Sequence, residues 1–168
     1  GNLVITGIKK HGINTSSTLT INGGNTTITS AASDGFHSEG YTMTGGTVTV
    51  TTSTGDGIDA GDGAIAISGG TINITSTSAD VKAIKTGVNT ITISGGTFNL
   101  TVSGAQSKGI SAKGNIAISG GTFSVTISGT TVLTAKALPI AVFVSSAAMN
   151  CLGKACISMR LLRLLLCN

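Results

Sequence analysis

Between residues 12 and 128 the apolar side chains alternate with Thr, Ser or Asn in short stretches, and the stretches come three to a unit. In the third unit they are Gly57-Ile58, Ile65-Ala66-Ile67 and Ile72-Asn73-Ile74. Alternation of period two is the mark of strands with one buried face. No helical period occurs before residue 137. The units are punctuated by Gly23-Gly24, Gly45-Gly46, Gly69-Gly70, Gly95-Gly96 and Gly120-Gly121, at steps of 22, 24, 26 and 25 residues. A unit of that length cannot bury its own apolar side, so the units must stack. Three short strands per unit with Gly-rich corners predict an all-β chain, a right-handed parallel β-helix (solenoid) of about five to six turns.

Stacking at the ordinary strand spacing of about 4.8 Å turns the repeats into internal columns. One column is Ile28, Val50, Ile74, Leu100 and Val125; a second is Ile21, Met43, Ile67, Ile93 and Ile118; a third is Ile13, Phe36, Ile58, Ile84 and Ile110. Outward positions form Thr-rich columns, Asn25-Thr47-Thr71-Thr97-Thr122 and Thr29-Thr51-Thr75-Thr101-Thr126, with Thr27, Thr49, Asn73, Asn99 and Ser124 between them. Such arrays resemble those of ice-binding β-helices, but Thr also suits any exposed strand through its β-branching, and Asn and Ser interrupt the regular array.

The repeats are expected over residues 1–136. Residues 137–168 break the pattern: they hold the only proline, Pro139, both arginines and all three cysteines. A cap over the last turn and a frame-shifted peptide are the two readings of this hydrophobic tail. A membrane span is disfavoured, because the uncharged stretch 137–153 is short and holds Pro139 and Asn150. Asn2 to Gly7 reads as the end of an earlier repeat, so a fragment of a longer protein is expected, with open strand edges that invite end-to-end association of copies.

Composition narrows the function. Twenty-five glycines, abundant Thr and Ser, and only 10% charged residues describe a β-rich secreted or cell-surface protein. Up to residue 136 seven lysines face six acids, so no electrostatic footprint for nucleic acid exists. The cysteines all lie in the tail, so the repeats need no disulfide.

Candidate chemistry lies in the turn that opens each repeat. One column there is His11, Asp34, Asp56, Lys82 and Lys108, and another is Asn14, His37, Asp59, Lys85 and Ser111. All six acids fall between Asp34 and Asp80. Carboxylates one turn apart repel by about 1 kcal/mol in water and by more in a groove. A hard cation such as Ca²⁺ would offset this, taking Asp34, Asp56, Asp59 and Asp62 with Glu39 or Asp80 as oxygen ligands. Cross-turn ion pairs, Asp56 with Lys82 and Asp59 with Lys85, are the simpler alternative. A zinc site at His11 and His37 is not expected, since no Cys or third His is near. No Ser-His-Asp arrangement or nucleophile elbow is present among the Ser-Gly corners.

Asp-Gly-Ile-Asp-Ala-Gly-Asp-Gly at 56–63 and Ala-Ile-Ser-Gly-Gly-Thr-Ile-Asn-Ile-Thr at 66–75, echoed at Lys108-Gly-Ile-Ser-Ala-Lys-Gly-Asn-Ile and Ile118-Ser-Gly-Gly-Thr-Phe, carry a resemblance. They resemble the secreted bacterial β-helix proteins of the carbohydrate-binding domain-containing family, of the calcium-containing polygalacturonate-binding type. The resemblance covers roughly residues 1–130. It implies an extracellular domain that binds acidic, pectin-like polysaccharide without catalysis and holds calcium at its Asp-Gly turns, with Asp34, Asp56 and Asp59 carried over as ligands. Repeats four and five depart from it, because Lys82, Lys85 and Lys108 replace acids. Those lysines, with His37, are then groups to pair with uronate carboxylates.

Pectate lyases share the β-helix, and they need a basic group, usually Arg, beside bound calcium. No arginine precedes residue 160, so the chain is not expected to be such an enzyme. A structural or adhesive filament module that binds no sugar is the second reading, since Tyr41 is the only tyrosine and there is no Trp on which a sugar would stack.

Overall fold

A computed structural model describes residues 1–52 and 54–128; the tail, with its readings as cap, membrane segment or frame-shifted peptide, lies outside the described residues. Within them every regular element is a strand, sixteen in all. One long sheet contains β1 (Asn2–Thr6), β4 (Asn25–Ala31), β7 (Thr47–Thr52), β10 (Thr71–Ser76), β13 (Thr97–Val102) and β16 (Thr122–Ile127), in that spatial order. A second is formed by β2 (Ile13–Asn14), β5 (Phe36–His37), β8 (Ile58–Asp59), β11 (Lys82–Thr86) and β14 (Lys108–Ala112). The third contains β3 (Leu19–Ile21), β6 (Tyr41–Met43), β9 (Ile65–Ile67), β12 (Ile91–Ile93) and β15 (Ile116–Ile118). Neighbours are parallel throughout, and each turn visits the three sheets once. The architecture is a parallel β-solenoid of about five turns.

The expected columns are the observed ladders. Ile28 pairs with Val50, Val50 with Ile74, Ile74 with Leu100 and Leu100 with Val125. Met43 pairs with Ile67, and Phe36 with Ile58. These residues make one continuous core in which Ile28, Phe36, Met43, Ile58, Ile91 and Leu100 are fully buried. Two aromatic contacts fill it further: Phe36 meets Tyr41 edge-on at 5.8 Å, and Phe98 stacks on Phe123 at 4.5 Å. Such pairs add to the area they bury. Tyr41 is therefore a core residue whose hydroxyl donates to the Met43 sulfur at 3.7 Å.

One ladder departs from the simple alignment. Between Ile28 and Ala31 the register against β7 shifts, so that Thr29 and Ser30 together oppose Thr51. Ser30 takes φ +60° there, as an inserted residue in a bulge does. The outward Thr column is continuous only from Thr51 to Thr126.

The Gly-Gly corners stack on one another. At Gly70 φ is +88°, and a Cβ would lie 2.8 Å from the Gly46 carbonyl oxygen of the preceding turn. Both the handedness and the space exclude a side chain at this position.

Candidate functional site

The Asp-Gly turns place the charged residues. A Cβ on Gly57 would stand 2.5 Å from Ile74 Cγ2 and 2.6 Å from the Ala83 carbonyl oxygen. Glycine lets the backbone press onto the core at this point, which fixes the adjoining Asp56. Its carbonyl accepts from Gly35 in the turn before, and its carboxylate reaches toward the turn after.

Asp34, Asp56 and Asp59 are brought together, each less than a tenth exposed. In each of them Oδ1 accepts from a backbone N–H: Asp34 from Asp56 at 2.7 Å, Asp56 from Lys82 at 2.6 Å, and Asp59 from Gly61 at 2.9 Å. The remaining oxygens converge, and the three residues offer ligand atoms within 4.8 Å of one another. Lys85 stands beside them, its Nζ 2.7 Å from Asp59 Oδ2 and 3.3 Å from Asp56 Oδ2. On the other side the Nδ1 atoms of His11 and His37 lie 3.1 and 3.3 Å from Asp34 Oδ2.

The electrostatics follow this arrangement. Burial pushes the Asp56 carboxyl above its ordinary value, against the downward pull of the Lys82 N–H and the Lys85 charge. Burial works against the Lys85 ammonium too, but the hydrogen bond to Asp59 and the charge of Asp56 outweigh it, and Lys85 is held above the ordinary lysine value.

The other expected residues are placed elsewhere. Lys82 directs Nζ to Asp80, 2.9 Å from Oδ1, and not to the Asp56 carboxylate. Asp80 sits in the left-handed region at φ +56°, which turns its carbonyl and carboxylate back toward Lys82. The Lys82 hydrogen bond holds the exposed Asp80 carboxyl below its usual range. Exposed Glu39 lies over Gly61 on a neighbouring turn. Exposed Asp62 accepts from the Val88 N–H at 3.3 Å. Lys108 is the register partner of Lys82 and has no ion pair among the described residues. The expected pairing of Asp59 with Lys85 is present; what the alignment missed is that Lys85 spans two aspartates and that both imidazoles face one.

Calcium can be tested against these donors. It takes about six to eight oxygen ligands. Here one oxygen of each aspartate is committed to a backbone N–H, and the Lys85 ammonium stands between Asp56 and Asp59. Imidazole nitrogens, poor ligands for calcium, face the free oxygen of Asp34. The residues as placed fit a lysine and not a calcium ion.

Along the solenoid axis the charge changes sign. The second and third turns carry the acids, whereas beyond Asp80 the described residues carry only lysines: Lys82, Lys85, Lys108 and Lys113. A family model described as "Carbohydrate-binding domain-containing protein" matches residues 1–143. No curated protein and no solved structure matches the chain.

Proposed function

The chain belongs to the carbohydrate-binding domain-containing protein family, and from that premise we propose that it binds acidic polysaccharide, without catalysis, along the lysine-bearing half of the second sheet. The observation that carries this reading is the register pairing of Lys82 with Lys108 on adjacent strands, in a region with no acid beyond Asp80. The Lys82 ammonium is already paired with Asp80, whereas Lys108 has no ion pair among the described residues, and a chain of uronate carboxylates laid along the axis would supply its counter-charge. Lys113 extends the same strip into the following corner. Lys85 and His37 face the aspartates and serve the sugar less directly.

Binding through charges that solvent still reaches, as at half-buried Lys82 and Lys108, is screened by salt. Affinity electrophoresis in gels containing polygalacturonate or a neutral glucan provides the test. Retardation by polygalacturonate that weakens with salt, and that falls severalfold in the Lys82→Ala/Lys108→Ala variant, is expected. Equal retardation by both polymers, or no change in the variant, overturns the reading. A polysaccharide of this class lies outside cells, so the same reading makes the protein secreted or surface-bound. Recovery from the cytosolic fraction alone counts against it.

A further inference from the structure

We propose that His11, Asp34 and His37 form a site for one divalent transition-metal ion of borderline softness, with Zn²⁺ as its representative. His11 precedes β2, Asp34 occupies the matching place one turn on, and His37 ends β5. The stacking of turns thus brings His11 against Asp34 and His37 of the next turn, residues that themselves lie only three positions apart.

Three observations support a metal over a simple charge ladder. The first is spacing: both Nδ1 atoms stand 3.1 and 3.3 Å from the same Asp34 Oδ2. Ligands bonded tetrahedrally to zinc at about 2.0–2.1 Å stand about 3.3 Å from one another. The second is alignment. Although close to Asp34, neither buried Nδ1 has a hydrogen-bond partner, so no imidazole N–H is directed at the carboxylate. Buried polar atoms are ordinarily satisfied, and an ion between the three atoms would satisfy both nitrogens. The third is pre-orientation. The rings stack at 4.6 Å with 25° between their planes, and Asp34 Oδ1 is fixed by the Asp56 N–H at 2.7 Å. The outer hydrogen bond on Asp34 is of the kind that orients a metal ligand.

The donor set also selects the metal. Imidazole with carboxylate suits zinc, copper and nickel, while calcium and magnesium prefer oxygen alone. Asp34 supplies the third ligand that spacing along the sequence did not reveal. Asp59 Oδ2, 3.8 Å from His37 Nδ1, is held by Lys85, so a fourth position stays open beside the part-exposed His37 ring.

The chain contains only two histidines, so an imidazole signature identifies the site without ambiguity. The full chain, with Cys151, Cys156 and Cys167 alkylated to exclude thiolates, is titrated with Zn²⁺ by calorimetry and with Cu²⁺ by electron paramagnetic resonance. Expected are one-to-one zinc binding that millimolar Ca²⁺ does not displace, and copper hyperfine structure from two nitrogens. His11→Gln and His37→Gln each weaken zinc binding at least about tenfold and leave one nitrogen coupling. Circular dichroism melting confirms that these variants fold; the part-exposed His37 serves if His11→Gln does not. No saturable binding, a copper signal without nitrogen coupling, or zinc affinity unchanged in a folded variant overturns the proposal.

Discussion

The long sheet and the second sheet are made by the same repeats and differ in what they carry. On the long sheet, strands of five to seven residues present Thr and Asn to solvent and bury Val50, Ile74, Phe98 and Leu100. Asn99 donates to Asn73 at 2.8 Å, and Asn73 to Thr49 at 3.3 Å, so even its outer face is tied from turn to turn. On the second sheet the strands run from two to five residues, and Asp34, Asp56 and Asp59 are buried among His11, His37 and Lys85. The difference teaches that stability and chemistry are divided between faces. Long apolar ladders hold the coil, and that rigidity keeps charged groups at short distances where water would otherwise separate them.

Breaking the first face should cost most. Phe98→Ala removes a fully buried ring stacked on Phe123 and should lower unfolding free energy by about 3–5 kcal/mol in urea titration. A loss under about 1 kcal/mol would mean that the core tolerates a missing layer and that the division between faces is wrong.

The second face should respond less, and with a dependence on pH. Lys85→Met leaves Asp56 and Asp59 without their shared cation and should cost about 2 kcal/mol at neutral pH, below a fully buried pair because Lys85 is itself part-exposed. A folded-state value raised above 10.5 gives Lys85 a contribution that is complete below that pH and is lost as pH rises through the folded value. Melting temperatures should therefore fall more steeply above pH 10.5 in the parent than in Lys85→Met. Parallel alkaline limbs would show that the ammonium is not coupled to folding. Tyr41, raised by burial, contributes alike to both proteins.

The smallest effect sharpens the contrast. Asp80→Asn removes an exposed pair with Lys82 and should leave the melting midpoint unmoved. A clear drop would make the lysine half of the strip structurally as tight as the aspartate half.

What could be read from the sequence follows from the same division. Ile28, Val50, Ile74 and Leu100 occupy one frame in successive repeats, and stacking in parallel leaves them a single place, so the core was legible. The bulge at Thr29 and Ser30 was not, because a repeat longer by one residue does not say where the excess sits. For the charged groups the alignment gives vertical neighbours but not side-chain directions. Lys82 follows Asp56 in its column, yet its ammonium goes to Asp80 while its backbone N–H serves Asp56. His11 and His37 occupy different columns, and only the closeness of successive turns lets their rings stack across Asp34.

The register of every ladder joins residues 21 to 26 positions apart. No contact in these ladders reaches past its nearest turn, so the described turns set no length of their own. Copying one repeat in frame within the gene would lengthen the rod and leave each old neighbourhood intact, whereas inserting a single residue inside a strand would turn its core side chains out to water. Growth by whole copies is thus cheap for such a chain, and a duplicated turn can drift toward new side chains while its siblings keep the rod standing.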